Sequence, residues 1–161
     1  MKSQRNSRGK EIRFRFFKKG EFKYLSHLDI VSIITKALRR AGIKVKYSEG
    51  YNPKPKINFS SPTPLGIESL AEYGDIVLTD DLRADEFLQK INFSLKELNQ
   101  KLERIKLIDS REISHKVPSL MEDISVGLYS FELTTTTGGC YTEDFIQDLE
   151  TKLRKDYTSP T

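Results

Sequence analysis

The chain is poor in cysteine and in long hydrophobic runs, and both absences narrow what it can be. Cys140 is the single cysteine among 161 residues, which excludes an internal disulfide, a cysteine-rich zinc site and an iron–sulfur cluster held by the chain's own thiolates. No apolar run approaches the roughly 18 residues that a membrane-spanning helix needs. Residues 1–10 are polar and basic and lack the apolar region of a signal peptide. These features predict a soluble cytoplasmic protein with no membrane partner.

The net charge is also low, at +4, but its distribution along the chain is uneven. Residues 1–60 carry 16 Lys and Arg against 4 Asp and Glu, a net +12, whereas residues 61–161 carry 11 against 19, a net −8. Four of the basic residues lie in residues 1–10, which hold too little apolar surface to fold and are predicted to be a flexible basic arm. The remaining +8 of residues 11–60 makes that segment the candidate region for binding nucleic acid.

Hydrophobic periodicity predicts six elements over residues 11–112, in the order strand, helix, strand, strand, helix, strand. Alternation at Ile12, Phe14 and Phe16 indicates a first strand, with Arg13 and Arg15 on its opposite, cationic face. This order of elements is that of an α+β, ferredoxin-like split βαβ (βαββαβ) domain.

Two helices belong to this pattern. The first is predicted to begin with a capping box formed by Ser26 and Asp29, and to end at Gly42 in a left-handed C-cap. The second is predicted over residues 81–102 from apolar residues that recur every three or four positions.

Beyond this domain, residues 113–125 are interpreted as a linker and residues 126–155 as a βα extension. The extension comprises a strand at 126–135 and an amphipathic helix at 142–155, followed by a disordered tail at 156–161. Two arrangements remain open at this point: the extension packs on the first domain, or it is a partial second ferredoxin-like repeat.

The segment 44–56, KVKYSEGYNPKPK, combines turn-forming residues with four lysines and two tyrosines. Its glycine, asparagine and prolines predict a loop without regular structure. Lysines can contact phosphates and tyrosines can stack on bases, so this loop and nearby arginines are the candidate RNA-binding surface. The candidate RNA-binding residues are Arg13, Arg15, Arg39, Arg40, Lys44, Lys46, Tyr47, Tyr51, Asn52, Lys54 and Lys56.

Catalytic and metal sites are weakly indicated. His27 could act as a general acid or base beside Asp29, but a first-turn residue next to a helix cap explains it as well. Glu49, Glu68 and Glu72 could join them as metal ligands only if the loops converge, and carboxylates so spaced are more often solvated or paired with lysines. We therefore expect no metal and no cofactor.

Three segments resemble the radical SAM-linked family, also called domain of unknown function 2344 (DUF2344). They are Lys19-Gly20 with Leu25-Ser26-His27-Leu28-Asp29, then Ala37 to Gly42, then Tyr47 to Ile57. The segment Pro64 to Ser69 and Glu72 extend the resemblance, which covers residues 12–80. Within these motifs, structural roles are expected for Ser26, Asp29, Gly50, Pro53, Gly66 and Glu68.

The resemblance implies an accessory role beside a radical SAM enzyme, in RNA modification or ribosome metabolism. The expected partners are therefore that enzyme and RNA, and the chain itself is expected to be non-catalytic. Two alternatives remain: a metal-independent RNA-processing enzyme that uses His27, and a protein–protein scaffold that binds no RNA. The oligomeric state is left open.

Overall fold

A computed structural model of the chain describes residues 9–98, 103–113, 117–124 and 127–130. The chain divides into two compact units, residues 1–126 and 127–161. Of the second unit only residues 127–130 are described, and these are exposed and form neither helix nor strand. Within the described ranges, no helix is long and apolar enough to cross a membrane.

The described residues of the first unit form four strands, two long helices and two short helical segments. In chain order they are β1 (Lys10–Lys18), a 3₁₀ turn (Gly20–Tyr24), α1 (His27–Arg40), β2 (Ile57–Phe59), β3 (Ser69–Leu78), α2 (Ala84–Leu98), β4 (Ile105–Ile113) and α3 (Leu120–Asp123). The strands form one sheet in the order β2-β3-β1-β4, and all neighbouring pairs are antiparallel. This confirms the predicted α+β class with a four-stranded sheet and two helices.

The core lies between α1, α2 and one face of the sheet. The predicted inward face of β1 is confirmed, since Ile12, Phe14 and Phe16 are all essentially inaccessible to solvent. Apolar residues of both helices pack against them in one cluster: Ile30, Ile34, Ala37 and Leu38 from α1, and Phe87, Ile91 and Leu95 from α2. Burial of each Ile, Leu or Phe side chain in this cluster stabilises the fold by about 1.5–3 kcal/mol.

A glycine in β3 accommodates one of the three buried phenylalanines of the core. Gly74 pairs with Phe14 of β1 and with Phe59 of β2. A Cβ atom at position 74 would lie 2.3 Å from Cζ of Phe14, so the ring occupies the space that any other residue would fill. Phe14 and Phe59 meet edge to face, with ring centroids 6.1 Å apart.

The outer edge of β4 is held by a side chain of α2. Asn92 Nδ2 donates to the carbonyl of Leu107 at 2.8 Å, and the Leu107 N–H donates to Asn92 Oδ1 at 2.9 Å. The amide group therefore satisfies both main-chain groups of Leu107, as a neighbouring strand would.

Several predicted boundaries need correction. β1 begins at Lys10, and Gly9 packs against Val77, so residues 9–10 are not part of a flexible arm. The predicted linker contains the last residue of β4 and all of α3. Residues 127–130 are not a strand, contrary to the prediction for 126–135. Residues 1–8, the rest of that strand, the predicted helix at 142–155 and the tail at 156–161 lie outside the described residues.

Candidate nucleic-acid interface

The C-terminal end of α1 presents two arginines next to the lysine-rich loop. Arg39 and Arg40 are exposed in its last turn. The helix ends in a Schellman motif, in which Gly42 has φ 68° and Ile43 N–H donates to the Leu38 carbonyl at 3.0 Å. This left-handed turn directs the chain to Lys44, whose carbonyl accepts from the N–H of Thr79 just after β3.

Residues 44–56, called here the basic loop, form neither helix nor strand, as predicted, but isolated bridges fold them into a small hairpin. The Lys56 N–H donates to the Lys46 carbonyl at 2.7 Å, and Ser48 N–H donates to the Lys54 carbonyl at 2.8 Å. Main-chain bonds from both arms to Val77 attach the hairpin to the end of β3. The hairpin shape could not be predicted, because these partners lie across the loop and about 20–30 residues along the chain, beyond the reach of local turn propensities.

The side chains of the basic loop project into solvent. Tyr51 is fully exposed and Tyr47 is 52% exposed, while Lys44, Asn52, Lys54 and Lys56 are also exposed. Lys46 is half-buried, with its stem lying near Gly9. Gly50 (φ 128°) and Pro53 lie at the tip between the two arms. Lys44 is the one cation of the loop that forms an ion pair with a described residue, the half-buried Asp80, at 3.6 Å.

The expectation that Arg13 lies on an exposed cationic face is wrong. Its side chain is only 4% exposed and makes two hydrogen bonds to Asp75, at 2.8 and 3.0 Å. It also binds the Asp123 carboxylate, and the Pro118 carbonyl accepts a further bond at 3.0 Å. The hydrogen bonds to Asp75, followed by those to Asp123, raise the pKa of Arg13 above its ordinary value. Its guanidinium is occupied by the protein and is not available to a phosphate.

The second acidic partner of Arg13, Asp123, comes from a segment that the sequence predicts to be a linker. Residues 117–124 lie over the sheet face opposite α1 and α2, with Leu120 buried. α3 begins with a capping box in which Ser119 and Glu122 bond reciprocally, and this lowers the pKa of Glu122. The Ser-x-x-Glu spacing is a sequence signal for a helix start and could have located α3.

Arg15 occupies a different environment on the same sheet face. It is half-buried, and its Nε atom is buried without a hydrogen-bond acceptor. It lines a cavity of about 210 Å³ instead of contributing to the basic loop. The structure therefore separates Arg13 and Arg15 from the other candidate RNA-binding residues.

His27 lies at the first turn of α1 and packs against an aromatic ring. Its imidazole meets Phe59 edge to face, with centroids 5.4 Å apart, at the wall of a cavity of about 590 Å³. Within the described part of the chain, no carboxylate or hydroxyl is hydrogen-bonded to it. Asp29, the expected partner, instead caps the helix: its carboxylate accepts from the Ser26 hydroxyl and N–H, which lowers its pKa.

The remaining motif residues hold loops together. Glu68 accepts a hydrogen bond from the Gly20 N–H at 2.8 Å, and Gly66 (φ 86°) donates its own N–H to the Lys23 carbonyl. Glu72 is buried beside Lys18, with 3.4 Å between Nζ and Oε1. The acidic residues weighed as metal ligands are thus dispersed, and across the described ranges no three His, Cys, Asp or Glu side chains converge on one point.

The fold and the site define a class of protein: an α+β domain with helices on one face of its sheet and an exposed, tyrosine-bearing basic hairpin at one end. Residues 11–158 match the family described as "Uncharacterized protein conserved in bacteria (DUF2344)". The chain therefore belongs to this family, and the match extends well beyond the predicted limits of 12–80. Among curated proteins, none matches the chain.

Proposed function

We propose that the chain is a non-catalytic RNA-binding protein that holds single-stranded RNA with the basic loop and with Arg39 and Arg40. The observation that carries this proposal is the exposure of two tyrosine rings on a hairpin that also bears four lysines. A fully exposed ring such as Tyr51 contributes nothing to the core, but every RNA base offers a face on which it can stack. Lysines around it supply the sequence-independent attraction to phosphates.

The fold is consistent with this function. We propose that the domain is a ferredoxin-like split βαβ, supported by its order of elements and by the central position of β1 and β3 in the sheet. Sheets of this topology serve as platforms for single-stranded RNA. Here, however, α3 covers the sheet at Arg13, so the exposed cationic surface lies at the end of the sheet where the basic loop is attached.

Removing the exposed ring tests the proposal directly. Tyr51→Ala is expected to weaken binding to a short single-stranded RNA by about 5- to 150-fold, since stacking of one base is worth about 1–3 kcal/mol.

Lys54→Ala with Lys56→Ala should lower the slope of log affinity against log salt by about 1.4, because each cation on single-stranded nucleic acid contributes about 0.7. Fluorescence anisotropy at several salt concentrations measures both.

Tyr24→Ala provides a matched control. Tyr24 is also exposed, at 66%, and Lys23 Nζ lies 5.2 Å from its ring centroid, but Tyr24 belongs to the 3₁₀ turn beyond the opposite end of β1. Its removal should leave RNA affinity unchanged. Equal loss in the two variants, or binding that does not respond to salt, would contradict an RNA site on the basic loop.

The partner is proposed to be a radical SAM enzyme in the cytoplasm. This rests on the resemblance of residues 12–80 to the radical SAM-linked family and, for the location, on the single cysteine. We expect the tagged full-length chain, isolated from its native cells, to bring down an enzyme with a three-cysteine iron–sulfur motif, and the Tyr51→Ala variant to retain it. Recovery of RNA without any such enzyme would contradict the partnership while leaving RNA binding intact.

A further inference from the structure

The sheet face opposite α1 and α2 carries a second polar site, away from the basic loop. Arg15 of β1 pairs with Tyr73 of β3 on one side and with Asp109 of β4 on the other. Arg111, two residues further along β4, lines the same cavity of about 210 Å³. A β-bulge interrupts the β1–β4 pairing directly after Arg15, and such bulges often re-aim a side chain next to a functional site.

The polar groups of this cavity have unused hydrogen-bonding capacity. Arg15 Nε is buried without an acceptor, whereas Arg111 and Asp109 are exposed at the rim of the cavity and make no ion pair with any described residue. Arg13, their neighbour on the same face, is by contrast bonded to Asp75, Asp123 and the Pro118 carbonyl. A buried donor without a partner is rare in folded proteins and calls for an explanation.

The charges of the cavity suit a ligand with both donors and acceptors. A simple phosphate would meet two arginines but also the carboxylate of Asp109. A flat heterocycle with acceptors on one edge and N–H donors on the next would match all three groups, and Tyr73 offers a ring for stacking. Neighbouring strands lie about 4.8 Å apart, so Tyr73 and Asp109 flank Arg15 at about 10 Å from each other, and one ring lying over Arg15 is within reach of both.

We infer that this cavity binds a single unpaired guanine base, and the inference rests on the proposed RNA-binding function. Arginine donors recognise the O6 and N7 acceptors of guanine, and a carboxylate can accept from its N1–H and N2–H groups. Adenine has an acceptor at N1 and no N2 amino group, so it cannot donate this pair of hydrogen bonds to Asp109. The cavity is smaller than the roughly 300–1,000 Å³ of sites for drug-sized ligands, which favours one base over a base pair.

The test measures the affinity of the full chain for two short oligouridines. They differ only at one central position, which is guanine in one and adenine in the other. The guanine oligonucleotide should bind about tenfold more tightly. Asp109→Asn should reduce this preference to within about twofold without abolishing binding, because the basic loop is unchanged. Asp85→Asn, the same change at an exposed carboxylate of α2, should retain the full preference.

The outcomes separate this inference from the proposed function. Equal affinity for the two oligonucleotides, or a preference that survives Asp109→Asn, overturns the guanine site and leaves RNA binding standing. If no RNA binds at all, the proposed function fails. The guanine site is then tested by the binding of free guanosine monophosphate. Chemical-shift changes at Tyr73 that disappear in Asp109→Asn support the site for a free nucleotide, and their absence in the wild type overturns it.

Discussion

Replacing Arg13 by alanine is expected to lower the free energy of unfolding by about 3–5 kcal/mol, the cost of removing one partner of a buried ion pair. Asp75 would keep its charge at a position that is only 8% exposed, with no cation to compensate it. The Pro118 carbonyl and the Asp123 carboxylate would lose their bonds as well, so residues 117–124 should detach from the sheet. Urea unfolding near neutral pH measures the loss.

Two further variants make this prediction specific. Arg83→Ala removes an ion pair with Asp85 in which both side chains are more than half exposed, and it should cost less than about 1 kcal/mol. Arg13→Met combined with Asp75→Leu removes both charges and should recover most of the stability, since apolar groups can replace a buried pair at little cost. If Arg13→Ala is no worse than Arg83→Ala, the buried network does not stabilise the fold.

A second large effect is expected at Gly74. Gly74→Ala would place a methyl group 2.3 Å from Cζ of Phe14, so the ring must leave its position in the core. We expect a loss of about 3 kcal/mol, at the upper end of what overpacking costs. Thermal and urea unfolding of the variant should both show it, together with a change in the aromatic circular dichroism signal.

The contact with Phe14 is tested by a double variant. Gly74→Ala combined with Phe14→Leu should be clearly less destabilised than the sum of the two single changes, because the smaller side chain admits the new methyl group. Ala71→Val adds more carbon to an exposed position of the same strand and should change stability by less than about 0.5 kcal/mol. Simple addition of the two single effects would contradict the steric explanation.

The elements were largely predictable because their signals are local. Alternation located the inward face of β1, and the capping box and glycine located both ends of α1. The hydrogen-bond partners of Arg13 could not be predicted in this way, because Asp75 and Asp123 lie 62 and 110 residues away along the chain. An alternating pattern shows that Arg13 faces away from the core, but it does not show that another segment covers that face.

The candidate site shows the same difference between what local sequence signals predict and what depends on distant residues. Residues of the basic loop are adjacent in sequence, so composition alone brought them together. Tyr73, Asp109 and Arg111 were missed because they meet Arg15 only through the register of three strands, which depends on pairing across the whole domain. No short motif joins them.

The amide of Asn92 has a consequence for how this protein behaves at high concentration. An exposed strand edge is a template on which a second molecule can add its own strand, and this is a common route to aggregation. At Leu107 the main-chain groups that such a strand would use are already bonded to Asn92. Intermolecular growth of the sheet from β4 is therefore interrupted near the beginning of this strand, at the buried Leu107, by a polar side chain of α2.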